Sequence, residues 1–595
     1  MNELVLLNSI DDAKDCISKG LYKDRYLFTT HVSVNIFLKE VYKINSTCIE
    51  SIFSELEVKE NTVFWGNMVD KILINLDNDL APGLNEKYEL NIRYFYPLYS
   101  YFGRFHVLAI FYFMEAFKMI IKKYSITKIF LYNYVINEQI DGLTDTHSIL
   151  FFLYPELKIE IIDLDDKFIK QFLKILNSKP AFYEKFYSLF KNAYYNPKMV
   201  RDQVAKFLFK FLFKKHYDPF KKTILLHEPL YALSFLKNKL NSYNILYFPK
   251  SANIKQINLK DNRNDLSEIL EMGKLVKEPV VTFFLKDIQT DLNKHIGQYI
   301  SEIQTLKNKL KDDKVSLGCW GNPPVNSARA LLFEYLSSEG IPVIGAQHGG
   351  AYGDCIFPWH FCSDFNRCDY FFSWGFTNND IKRIYPDKQP RCSFVPVGRS
   401  KQLIAHNKKR IDILFPLMMT FSVLSHGLVG MPPSKLAIRQ IKLLEHLNSL
   451  KDIKVTIKPF RWSNFGNCGP LVVLKRLKRL QVDSNMDLNS FLQKKLPKAI
   501  LIEYPSTPLY ECLHLDIEIF LMNDPTLPYE EYALKDICKR VHYAESVEEM
   551  IKKINSFVNG KLESKRDNSF FNHYVYKKDA KKNILKQIDG ILGDA

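Results

Sequence analysis

The sequence predicts an α/β protein built from two Rossmann-like, doubly wound domains that face a central cleft. Three observations predict it. At 595 residues the chain exceeds what one hydrophobic core organises, so length favours two large domains with room for an inserted or appended region. A composition of 47 % hydrophobic and 25 % charged residues belongs to globular proteins, which sets disordered and fibrous classes aside. From Lys314 onward, short apolar runs alternate with amphipathic stretches, the signature of strands and helices in a parallel sheet.

Taken in order, the first three hundred residues read as mixed α/β with few sharp signals. Strands are expected at Lys128 to Tyr132, Ile159 to Leu164, Thr223 to Leu226 and Ile245 to Phe248, and a buried helix at Phe105 to Ile121. A βαβ unit follows: strand Val315 to Trp320, turn Gly321-Asn322-Pro323-Pro324, helix Asn326 to Ser338 ended by Gly340, then strand Pro342 to Ala346. A second series begins near Asp412. Its strands are Ile413 to Leu417, Ile453 to Ile457, Ala499 to Glu503 and Ile517 to Met522, with helices Lys435 to Leu450, Leu509 to Leu515 and Ser546 to Val558. The expected division is 1–402 as a Rossmann-like domain with helical elaborations and 403–572 as a second Rossmann-like domain. A C-terminal helix, 573–595, packs back across the linker near Gly398 to Lys409.

Composition also narrows the partners. A formal charge of +16 calls for an anionic ligand or interface. Zinc-finger spacing, aromatic RNA-binding signatures and a basic tail are all missing, so nucleic acid is not expected. The ten cysteines lack paired spacing and no signal-peptide pattern opens the sequence, which fits a reducing cytoplasm. Cys355, Cys362 and Cys368 cluster, but at intervals that match no common zinc pattern, and His360 would have to serve as fourth ligand, so no metal is expected. Asp163-Leu164-Asp165-Asp166 reads as a strand-end turn. The run 105–121 is too interrupted to cross a bilayer. In 206–215 a lysine every fourth position borders a broad aromatic surface, which fits either an element lying in the membrane interface or a core helix with a solvated edge.

Three motifs fall at successive strand ends, where open parallel sheets bind their ligands. The first is Gln347-His348-Gly349-Gly350-Ala351-Tyr352-Gly353-Asp354. Glycines let the backbone turn and approach a ligand closely, so Gly349 and Gly350 are candidate ligand contacts, and His348 has a pKa suited to general-base work. The other reading is a histidine bonded to backbone within a tight turn. Asp354 is the alternative base, Gln347 holds the loop, and Asn326 and Arg329 of the preceding helix support it. The second motif is Glu503 to Glu511. Here Ser506 and Thr507 precede a helix whose free N–H groups favour phosphate, though plain capping explains the same pair. Glu511, a turn later, is either a ribose contact or a helix surface residue. The third is Lys458-Pro459-Phe460-Arg461, whose Lys458 and Arg461 are placed to neutralise a leaving phosphate or are simply solvated.

The run from Ser327 and Arg329 through the Gln347–Gly350 loop to Trp374-Gly375 resembles bacterial surface-carbohydrate transferases with a QHGG loop, a family of the GT-B fold. The layout is also similar to polysialyltransferases and CDP-glycerol glycerophosphotransferases. The resemblance spans about residues 315 to 525. It implies metal-independent transfer of a sugar from a nucleotide donor to lipopolysaccharide, capsule or a related glycan, without a cofactor. His348 would act as base, with Ser506 and Thr507 on the donor phosphate and Lys458 nearby. Where sialyltransferase-type sequences carry His-Pro, this chain has Lys458-Pro459, which leaves a CMP-linked acidic sugar as one donor among others. Polyol-phosphate transfer from a CDP-alcohol would use the same machinery, and a non-catalytic glycan-binding or membrane-binding protein would keep the fold alone. A cytoplasmic enzyme working at an anionic inner membrane face would also account for the charge.

Overall fold

The structure, a computed structural model, describes residues 2–88, 91–95, 100–132, 156–162, 221–227, 242–247, 314–324, 328–357, 359–399, 409–418, 431–459, 470–485 and 487–594, with a few isolated positions between them. Asn326, Arg461, the segment 206–215, the turn at 163–166 and the side chains of Arg329 and Cys362 lie outside the described residues.

Three parallel sheets form the scaffold. The first contains β1 (Glu3–Leu7), β2 (Tyr26–Thr29), β3 (Thr47–Cys48), β4 (Lys128–Tyr132) and β5 (Lys158–Ile162) in the order β3-β2-β1-β4-β5. Its helices are α1 (Ile10–Ser18), α2 (Val32–Phe37), α3 (Glu55–Tyr88) and α4 (Ser100–Tyr124). The second contains β6 (Thr223–His227), β7 (Asn244–Tyr247), β8 (Val315–Trp320), β9 (Val343–Ala346), β10 (Tyr370–Ser373) and β11 (Ser393–Pro396), ordered β11-β10-β9-β8-β6-β7. With it go α5 (Ala328–Ser338), α6 (Trp359–Ser363) and α7 (Asn378–Ile384). The third contains β12 (Lys409–Leu417), β13 (Val455–Pro459), β14 (Gln481–Val482), β15 (Lys495–Ile502), β16 (Glu518–Met522) and β17 (His542–Ala544), ordered β14-β13-β12-β15-β16-β17. Its helices are α8 (Pro433–Ser449), α9 (Pro470–Leu474), α10 (Leu488–Lys494), α11 (Thr507–Cys512), α12 (Glu531–Ile537) and α13 (Val547–Val558).

The first and third sheets run outward in both directions from their first strand, the doubly wound Rossmann order; the second follows the flavodoxin-like variant. Strands buried on both faces explain the unbroken apolar runs, such as Leu4 to Leu7 in β1 and Ala499 to Ile502 in β15. Residues 1–402, expected to carry one Rossmann-like sheet, therefore carry two. The first sheet was hard to see because β1 to β3 are short and the long helices α3 and α4 separate them from β4.

One continuous core joins all three sheets, containing Leu4 and Leu6 of the first, Trp320 and Val343 of the second, and Leu414 and Ile500 of the third. The first sheet also touches the third through α2, whose Val32 and Ile36 enter the core beneath β12 and β15. The expected C-terminal helix is two helices, α14 (Ser569–Tyr574) and α15 (Ala580–Asp594), with Asp579 at positive φ in the break. Ile584, Ile588 and Ile591 of α15 pack with Ile224, Ile344 and Phe372 on the face of the second sheet turned away from the shared core. This return crossing lets the carboxyl edges of the second and third sheets meet, the GT-B arrangement. Among the described residues, no helix is long and apolar enough to cross a membrane.

Candidate functional site

The loop 347–355 leaves the carboxyl end of β9 and lies against the segment that leaves β15. Gln347 pins its start. The side chain accepts from the Trp374 N–H at 2.7 Å and donates to the Gly349 carbonyl at 2.8 Å, while the Trp374 indole donates back to the Gln347 carbonyl at 3.1 Å. Further along, Ala351 takes positive φ, a conformation normally left to glycine. Gly350 serves close approach, since a Cβ there would stand 2.0 Å from the Tyr510 ring, whereas one on Gly349 would meet Thr507 Oγ1 at an ordinary 3.4 Å. The Gly350 N–H donates to Thr507 Oγ1 in a long bond of 3.4 Å. The loop histidine segment and the Ser506-Thr507 pair, expected to meet across a cleft, thus adjoin each other.

The loop is then clasped to the segment that precedes α12 of the third sheet. The Glu530 N–H donates to the Asp354 carbonyl at 2.8 Å and the Ile356 N–H to the Pro528 carbonyl at 2.8 Å, around a bridge between Cys355 and Tyr529. Asp354, expected as an alternative base, is 2 % exposed, and its carboxyl accepts from the Tyr510 hydroxyl. Burial pushes its pKa up to about 7, with the Tyr510 bond opposing. It belongs to the contact between the loop and α11 and is shut off from solvent.

His348 differs. Its side chain remains 27 % exposed, with Nδ1 3.6 Å from Asp364 Oδ1 and the Tyr352 hydroxyl 3.0 Å from each ring nitrogen. Close packing round the ring lowers its pKa below the usual 6.5, and the Asp364 charge opposes that fall. The imidazole is accordingly neutral near pH 7 and able to accept a proton.

At the facing edge, Ser506 is the N-cap residue of α11 but its hydroxyl makes no capping bond, contrary to the plain capping explanation. Lys458 ends β13 buried, its Nζ donating to the Asp483 carbonyl at 3.2 Å. Glu511, expected on a ribose hydroxyl, is buried and takes bonds on Oε1 from Arg399 Nη2 at 2.6 Å and Asn489 Nδ2 at 2.9 Å. The guanidinium, which also lies over the Trp374 ring, neutralises it, so in this arrangement Glu511 serves the domain joint and not a ligand.

The sequence reading missed three groups. Tyr352 and Asp364 surround His348; the first stood in the quoted loop, and the second was hidden inside the stretch read for cysteines. Glu503 follows β15 and is buried. Its Oε2 accepts from the Met418 N–H at 2.8 Å and from Gln440 Nε2 at 2.9 Å, Oε1 has no partner among the described residues, and burial pushes its pKa up to about 8. His360, considered as a metal ligand, stacks on Tyr352 at 3.6 Å between centroids, and Cys355 and Cys368 are buried thiols. Among the described residues, no group of three His, Cys, Asp or Glu side chains is set to hold a metal.

A family model described as LIC12162 family transferase matches residues 113–538. A comparison with curated proteins returns no match. Among solved structures, the UDP-GlcNAc 2-epimerase of Neisseria meningitidis bound to UDP-GlcNAc aligns at 13 % identity and TM-score 0.36, over 62 % of this chain and 100 % of that one. A glycosyltransferase from Rickettsia africae aligns at 14 % identity and TM-score 0.35, over 63 % of this chain and 100 % of that one. The UDP complex of S. aureus MnaA aligns at 12 % identity and TM-score 0.38, over 62 % and 97 %. Likeness at such TM-scores is too loose to assign an activity.

Proposed function

The chain belongs to the LIC12162 family of transferases, and we propose that the group it transfers is a sugar, moved from a nucleotide donor to a hydroxyl of a glycan acceptor. The observation that carries this reading is the contact between the Gly349-Gly350 turn beside His348 and Thr507 at the start of α11, which brings a proton acceptor and a hydroxyl-bearing helix start together where the carboxyl edges of two sheets meet. In such transfer the acceptor hydroxyl loses its proton as its oxygen attacks the anomeric carbon, and the bond from that carbon to the nucleotide phosphate breaks. His348, neutral and partly open, takes the proton. Gly349 and Gly350, expected as donor contacts, instead pack the loop of His348 against Tyr510 and Thr507 at the start of α11. Charge on the departing phosphate meets the Ser506 and Thr507 hydroxyls and the N–H groups of α11, with Lys458 and Arg461 adding positive charge without a metal. The domain split at about residue 402, with the acceptor on the earlier part and the donor on the later, belongs to the same proposal.

The finer assignment rests on the sequence resemblance and the charge of +16: an acidic sugar carried on CMP, a lipopolysaccharide or capsule acceptor, and a site of action at the inner membrane face. The test is turnover of His348→Ala. A general base contributes roughly 10²–10⁴-fold, so kcat should fall by about that factor while the unfolding midpoint holds. Unchanged turnover would refute the role of His348.

A further inference from the structure

We propose that Asp364 is the positioning residue of His348: by facing Nδ1 it fixes which ring nitrogen carries the hydrogen and leaves the other to take the substrate proton. This rests on His348 being the base, and the geometry carries it. Asp364 follows α6 and is 3 % exposed at its side chain, so its orientation is set by packing and bonding. Oδ2 accepts from the Ser363 hydroxyl, and Oδ1 accepts from the Tyr352 hydroxyl at 3.3 Å while facing His348 Nδ1 at 3.6 Å. The phenol that joins the two is itself held flat, stacked on His360 at 3.6 Å and on Phe371 at 5.8 Å. A carboxylate buried this deeply requires partners, and the imidazole is one that gains positive charge during turnover.

Among the described residues, the titratable groups facing the imidazole are Tyr352 from its own loop, and His360 and Asp364 from the α6 segment. Across the sheets, α11 brings the uncharged Thr507 to the adjoining glycines. Two electrostatic effects oppose each other: burial of the ring lowers the basicity of His348 and Asp364 raises it. A negative group beside Nδ1 favours hydrogen there, which leaves Nε2 as the nitrogen that accepts the substrate proton.

Selective ¹⁵N-histidine labelling of the full chain reads this without any ligand, with the His348 signals identified by their loss in His348→Ala. In the unmodified protein the neutral ring should carry its hydrogen on Nδ1, and in Asp364→Asn the titration midpoint should fall by about one on the pH scale, the usual size of one close charge. An Nε2–H ring in the unmodified protein overturns the proposal even if Asp364→Asn does not fold, and so does a midpoint that stays put in a folded Asp364→Asn. The base reading fails separately. If His348→Ala retains full turnover, the catalytic role is lost while the pairing stands; if turnover is lost but the midpoint is unmoved, only the pairing is lost.

Discussion

Replacing Asp354 with asparagine should remove a loss of stability that the protein suffers as pH rises. The carboxyl is 2 % exposed, and burial raises its pKa from 3.8 to about 7. A group that binds its proton more tightly when folded gives stability that is complete below its unfolded pKa and is lost as pH climbs through the folded one, so the window runs from about pH 4 to pH 7. The full separation is about 3 on the pH scale, which at 1.36 kcal/mol for each makes ~4 kcal/mol. Between pH 5 and pH 7 it is about 2–3 kcal/mol. Asparagine still accepts from the Tyr510 hydroxyl and cannot ionise. The assay is urea unfolding of both proteins at pH 5, 6, 7 and 8 and constant ionic strength. Glu503 and Glu50, pushed up to about 8 and about 7, tilt both curves alike and cancel in the difference. The asparagine variant should gain on the parent by about 2–3 kcal/mol from pH 5 to pH 7 and then hold its lead. Parallel curves would show that Asp354 ionises freely, and the buried joint between the loop and α11 would be wrong.

Gly375→Ala would set a Cβ 2.0 Å from the His573 carbonyl oxygen, and backbone cannot swing aside as a side chain does. Thermal unfolding should show a loss of about 1–3 kcal/mol, and a neutral result would deny that the C-terminal return docks there. Glu511→Ala leaves the Arg399 guanidinium buried without its carboxylate, a loss of about 3–5 kcal/mol. Adding Arg399→Met should recover much of it in a double-mutant cycle, whereas additive losses would mean the pair does not interact.

The sequence yielded most where a strand end coincided with an unusual run of residues. The β8–α5–β9 unit and the third sheet were legible because apolar runs are bounded there by Gly340, by the Pro323-Pro324 turn and by Ser506, so pattern and punctuation agree. The strand β10 has the same buried character but follows a loop read for its cysteines, and β11 is a short, half-exposed edge strand with little apolar signal. Positions along the chain could locate His348, Ser506 and Thr507, yet not the company they keep. Asp364 reaches His348, and Arg399 reaches Glu511, only through contacts between segments distant in sequence. Glu511 and Asp354 are instructive for that reason. Each has the chemistry of a ligand-binding or basic group, and each is claimed by a partner that spacing does not reveal.

The reading stands on a nucleotide phosphate binding at the Ser506-Thr507 pair, beside the Gly349-Gly350 turn. Thermal unfolding of the full chain with CMP, CDP, UDP or GDP, compared with a Ser506→Ala/Thr507→Ala variant, measures that directly. One nucleotide should stabilise the parent by about 2.7 kcal/mol at a hundred times its Kd, and the double variant should lose that gain while unfolding alone near the parent's temperature. Equal stabilisation of both proteins, or none of either by all four nucleotides, would contradict the account.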